Sequence, residues 1–129
     1  MTGARVILVD SSVWIDHFRS ASAELAALLT SRVVMIHAFV VGDLACGYMP
    51  KYKAVIAALA SLPLAPVLQH SEVLAFVERH QLMARGIGWV DTHLLASTTV
   101  VGRVSLWPRD KRLPAVAAEC GVATLRAAV

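Results

Sequence analysis

Two cysteines, nine acidic residues and no long apolar run narrow what this 129-residue chain can be. Cys46 and Cys120 are too few and too isolated for a disulfide framework or a thiolate zinc site, which points to a reducing cytoplasm. The longest uninterrupted apolar stretches, such as 54–60, fall far short of the roughly 18 residues that a membrane span needs. The apolar run after Arg5 stops at Asp10 and is too short for a signal peptide. No P-loop, nucleophile elbow or zincin histidine spacing occurs, and Gly86-x-Gly88 is too short to be a dinucleotide fingerprint.

What is abundant is hydrophobicity, at 57% of residues. A surplus of this size suits a parallel sheet covered on both faces, and it also suggests an apolar interface with a second copy or a partner. The length fits one domain, 1–129, with one complete core. Short apolar runs alternate with helical stretches. Strands are expected at Arg5 to Val9, Val33 to Ile36, Val67-Leu68 (weak), Val104 to Trp107 and Val122 to Leu125. Between them, helices are expected from Ser11 or Ser12 to Phe18, after Ser22, from about Phe39 to Tyr48, Lys53 to Leu62, Ser71 to Arg85, Val90 to Val101 and Lys111 to Glu119. The order implies an α/β sandwich with a short, mainly parallel sheet flanked by helices.

Against that background four of the nine acids stand out. Asp10 ends Val6-Ile7-Leu8-Val9 and Asp110 follows Val104-Ser105-Leu106-Trp107. Asp91 opens a helix, and Asp43 lies mid-helix with Phe39, Val40, Cys46 and Gly47 on its own face. A buried, unpaired carboxylate costs several kcal/mol or takes up a proton, so four of them imply a shared divalent cation. In open α/β sheets ligands bind beyond the carboxyl ends of the strands, where Asp10 and Asp110 fall. Each acid also has a plainer reading. Asp91 complements a helix dipole, Asp110 caps a helix, and Ser11 and Ser12 serve as caps, although either hydroxyl is also placed to hold a metal-bound water. His37, His70, His80 and His93 read as structural, and Trp14, Trp89 and Trp107 as core residues with base stacking the lesser alternative.

Sequestering four aspartates would leave the remainder of the chain four units more positive than its net +3, with Arg109, Lys111 and Arg112 beside one of the acids. Such a surface attracts a polyanion. For these three residues phosphate contact and plain solvation stand as equal readings.

The segments Val9-Asp10-Ser11-Ser12-Val13-Trp14-Ile15-Asp16, Gly42-Asp43-Leu44, Gly86-Ile87-Gly88-Trp89-Val90-Asp91 with Leu94-Leu95-Ala96, and Leu106-Trp107-Pro108-Arg109-Asp110-Lys111-Arg112-Leu113 resemble a PIN domain of the VapC toxin type, in order and spacing, over nearly the whole chain. The resemblance implies a PIN-like three-layer sandwich and a Mg²⁺- or Mn²⁺-dependent endoribonuclease, normally a homodimer, held inactive by a cognate antitoxin. By motif position, Asp10 and Asp91 would anchor the metal, while Asp43 and Asp110 hold its waters or a second ion. Ser12, Arg109, Lys111 and Arg112 would lie against the RNA. The family pattern has Glu where this chain has Asp43 and usually Thr or Ser where it has Pro108. Asp is one methylene shorter, about 1.5 Å of reach, which favours water-mediated coordination and lowered activity. Two other classes are compatible with these residues. One is a catalytically weakened PIN module that binds RNA or an antitoxin without cleaving. The other is an aspartate-based phosphatase, although Ser12 occupies the position where that arrangement has its second Asp.

Overall fold

The computed structural model describes residues 5–125. Short, mostly apolar runs, each opened by a valine, form three strands among the described residues, β1 (Val6–Val9), β2 (Val34–Met35) and β3 (Val104–Trp107), paired in parallel in the order β2-β1-β3. β1 is therefore the central strand. Its register runs from Val6 opposite Val104 to Val9 opposite Trp107 on one side, and Ile7 faces Val34 on the other. Successive strand side chains point to opposite faces, and all four residues of β3 are buried together with Ile7, Leu8 and Val9 of β1. Both faces of the sheet are covered, giving the expected α/β sandwich.

Seven helices supply the cover among the described residues: α1 (Ser11–Arg19), α2 (Ala23–Thr30), α3 (Ala38–Cys46), α4 (Tyr52–Ala60), α5 (His70–Arg79), α6 (Trp89–Val101) and α7 (Leu113–Glu119). The most deeply set is α6, which packs on β3 and is buried continuously from Thr92 to Thr98. Two of its buried hydroxyls are satisfied by carbonyls: Ser97 Oγ donates to Pro66 at 2.7 Å and Thr98 Oγ1 to Leu95 at 2.6 Å. Leu8, Leu94, Leu95, Leu106 and Leu113 are fully buried, each contributing about 1.5–3 kcal/mol of transfer free energy. No helix among the described residues is long and apolar enough to cross a membrane. Both cysteines are free thiols.

Several boundaries differ from the sequence expectation, for local reasons. No strand forms at Val67-Leu68. The sheet edge is extended instead by a single bridge of Leu64 to Ile36, made by Ile36 N–H to the Pro63 carbonyl at 2.9 Å and Ala65 N–H to the Ile36 carbonyl at 2.8 Å. Pro66 then has no N–H to continue the ladder. The expected strand at Val122 to Leu125 reduces to a bridge between Thr124 and Leu106. The first helix is capped by Asp10, not by Ser11 or Ser12, and α5 begins at His70 because Glu72 accepts the Gln69 N–H at 2.8 Å. That helix stops at Arg79, not near Arg85, since Gln81 turns to a positive φ of 54° and sends Leu82 back into the core. Residues 110–112 form a turn that delays α7 to Leu113.

Candidate active site

The central strand sets where chemistry can occur. From β1 the chain crosses to β2 on one side, and β3 later adds on the other, so the crevice of the sheet opens at the carboxyl end of β1. Asp10 sits there. Its N–H donates to the Trp107 carbonyl at 3.1 Å, and its carboxylate accepts the Ser11 N–H at 2.8 Å and the Arg109 N–H. This one side chain caps α1 while tying the end of β1 to the chain leaving β3. Two backbone donors favour the ionised form, yet Asp10 is only 8% exposed, and burial followed by the charges of Asp43 and Asp110 leaves its pKa raised overall.

Asp91, in the first turn of α6, is half-buried and forms a side-chain hydrogen bond with Asp10. Burial first, then the charges of Asp10, Asp110 and Asp43, push its pKa up to about 7. Asp43, from α3, receives a hydrogen bond from Ser11 Oγ at 2.9 Å. The fourth acid, Asp110, lies in the turn after β3 and accepts from Arg112 at three points: N–H to Oδ1 at 2.8 Å, Nε to Oδ1 at 3.1 Å and Nη2 to Oδ2 at 3.0 Å. That guanidinium holds Asp110 below the usual carboxylate range. The four aspartates, spread over a hundred residues of sequence, thus share one electrostatic neighbourhood at the carboxyl edge of the sheet.

They are not equally buried. Asp10 is buried, Asp91 and Asp110 are half-buried, and Asp43 is exposed rather than set in an apolar face, because α3 turns only Val40 and Leu44 fully into the core. As the side chains stand, no three or more His, Cys, Asp or Glu groups among the described residues converge on one ion position. Asp110 is turned to Arg112, and Asp43 is tied to Ser11. The donor set is nevertheless oxygen only, four carboxylates with an adjacent hydroxyl, which suits a hard divalent cation that keeps part of its water shell.

The basic residues are also engaged. Arg109 ion-pairs with Asp16 of α1, Arg112 with Asp110, and Lys111 is exposed. Ser12 is half-buried, and it is Ser11, one residue earlier, that reaches an acid. Its position directly after a strand-end aspartate is the only sequence signal that could have singled it out. Trp14 and Trp107 are core residues, whereas Trp89 is 39% exposed and stands edge-on to His93 at 4.7 Å. His37 is structural: its Nδ1 accepts the Phe39 N–H at 3.0 Å and so caps α3.

Ribonuclease VapC32 from two strains of Mycobacterium tuberculosis is 48% identical to this chain over 118 residues, spanning 92% of this chain and 95% of the relative. The chain belongs to the VapC ribonuclease family. No protein-family model matches it. As in the resemblance carried by its motifs, this VapC chain has a PIN-like fold, with its strand-end and helix-borne aspartates brought to one edge of the sheet.

Proposed function

We propose that this VapC chain is a single-domain, cytoplasmic endoribonuclease toxin that hydrolyses RNA phosphodiester bonds with Mg²⁺ or Mn²⁺ held by Asp10, Asp43, Asp91 and Asp110. The observation that carries this reading is that Asp10 and Asp91, at the carboxyl end of the central strand, each lie within reach of the charges of Asp43 and Asp110. A bound divalent cation there would supply activation of water and neutralisation of charge on the phosphate oxygens. Asp10 and Asp91 are the anchoring pair, since they are adjacent and the more buried. Asp43, with its oxygen fixed by Ser11, and Asp110 orient water at the periphery by accepting its protons. Loading the pair with a cation would offset the burial and the repulsion that raise the Asp91 pKa, so the working form of Asp91 is the carboxylate. Lys111 and the neighbouring arginines contact the RNA backbone without reading sequence.

Partners fit the same reading. Beside Asp43 lies a cavity of about 380 Å³ lined by Ile15, Phe18, Arg19, Leu44, Tyr48 and Met49, with Phe18 and Tyr48 exposed. A cognate antitoxin is the occupant we assign to it, and a second copy of the chain is the partner for the remaining apolar surface.

The test is incubation of purified protein with total RNA and Mg²⁺ or Mn²⁺, with and without chelator, followed by mapping of the ends. Cleavage that requires metal is expected. Cleavage that persists in excess EDTA, once contaminating nucleases are excluded, defeats the metal mechanism, and RNA binding without cleavage makes the chain a non-catalytic module.

A further inference from the structure

Arg112 occupies a place that neither solvation nor simple RNA contact explains. Its guanidinium covers both carboxylate oxygens of Asp110, in the fork geometry that Arg uses for carboxylates and phosphates alike. The opposite edge of the same group lies on Gly86, where φ is +81° and a Cβ atom would come within 2.6 Å of Nη1 and 3.1 Å of Cδ. Gly86 belongs to the loop that leads into α6 and hence to Asp91. The left-handed backbone favours glycine there, and its bare Cα lets the arginine lie against it. Arg112 therefore bridges the two segments that deliver Asp91 and Asp110 to the site. Its side chain is 64% exposed, so leaving this seat strips it of little packing. Arg109 differs, because its partner Asp16 lies outside the acidic set.

We infer that Arg112 is a positioning residue that exchanges partners: it holds Asp110 while the acidic edge carries no metal, then yields that carboxylate to the loaded site and turns its fork to a phosphate of the RNA. The inference rests on the proposed metal-dependent reading. Without metal, one internal cation compensates the outermost of four like charges. With metal, that cation becomes redundant at Asp110 and free for an anion, which arrives with the substrate. No bond is made or broken in the exchange. A purely structural ion pair has the opposite consequence, since it would orient Asp110 for metal and its loss would weaken metal binding.

The experiment is calorimetric titration of MnCl₂ into the parent, Arg112→Gln, Arg112→Lys and Lys111→Gln proteins without RNA, paired with fluorescence anisotropy of a labelled, cleavage-resistant phosphorothioate RNA at saturating MnCl₂ and again in EDTA. Arg112→Gln should bind Mn²⁺ roughly two- to five-fold more tightly than the parent, the scale of an exposed ion pair, and by more than Lys111→Gln, which sets the effect of losing any nearby charge. The same variant should bind RNA several-fold more weakly in Mn²⁺ and nearly as well as the parent in EDTA; an equal loss in both overturns the exchange. Arg112→Lys should retain most of the RNA affinity, with Mn²⁺ affinity between those of the parent and the Gln variant. Mn²⁺ affinity that is unchanged, weakened or no tighter than in Lys111→Gln overturns the exchange alone. A parent protein that takes up no Mn²⁺ overturns the metal reading and the exchange together.

Discussion

His37 offers a quantitative test of the packing behind the site. The ring is fully buried, its Nδ1 accepts the Phe39 N–H, and its Nε2 has no partner among the described residues. A proton on Nδ1 would break the α3 cap, so the fold accepts only the neutral ring. Burial, and after it the nearby His93, lower the His37 pKa from 6.5 to about 4. Between those values the unfolded chain binds more protons than the folded one, so this stability is present above pH 6.5 and is lost as the pH falls toward 4. One pKa unit corresponds to about 1.4 kcal/mol, which makes the loss about 2 kcal/mol at pH 5 relative to pH 7.5. Asp10 and Asp91 act in the opposite direction, because their raised pKa values favour the folded state as the pH falls, so the signal must be read as a difference between variants. His37→Asn retains an oxygen that can accept the Phe39 N–H but removes the titrating ring. At pH 7.5 it should be the less stable protein, through the cavity it leaves. By pH 5 the gap should shrink by about 2 kcal/mol. Urea unfolding of both proteins at the two pH values measures this, and a gap that stays constant refutes the reasoning.

Three further outcomes are expected. Asp43→Asn should weaken Mn²⁺ binding and abolish cleavage, whereas Asp43→Glu, with its longer reach, should equal or exceed the parent, most visibly in Mg²⁺. Metal titrations beside initial rates decide this, and an unaffected Asn variant removes Asp43 from the site. Ser11→Ala takes away the hydroxyl that fixes Asp43 but leaves the Asp10 cap on the Ser11 N–H, so thermal unfolding should shift by only about 1 kcal/mol while the cleavage rate drops several-fold; a rate equal to that of the parent denies Ser11 a positioning role. Light scattering should show a homodimer, or a complex once the antitoxin is added, with an Arg or Lys of the antitoxin entering the acidic pocket in a structure of that complex. A monomer at micromolar concentration that binds no antitoxin contradicts this.

The sequence announced the elements whose pattern is strong and blurred those decided by a single hydrogen bond. Val104 to Trp107 reads as a strand because Val104, Leu106 and Trp107, with only Ser105 among them, stand between Arg103 and Pro108, and β3 has those same bounds. The start of α5 was not legible, because the choice between Ser71 and Gln69 as cap depends on where the Glu72 carboxylate folds back. The four aspartates were visible as acids at strand ends and helix faces, and the sheet order accounts for their meeting. Their unequal burial was not visible, since the exposure of Asp43 depends on how α3 is rotated against the core. Nor was the pairing of Arg112 with Asp110, which depends on the turn at 110–112 and lies against the backbone of Gly86.

The place of β1 at the centre of the sheet also gives this molecule a clock. Val104, the partner of Val6, leaves a ribosome 98 residues after it. At a synthesis rate of about 5–20 residues per second that is a delay of roughly 5–20 s. Until then the strand bearing Asp10 lacks one neighbour, Asp110 does not exist, and no nascent chain can assemble the acidic edge. The nuclease we propose is therefore harmless until β3 has emerged, and an inhibitor needs to be at hand only from that point.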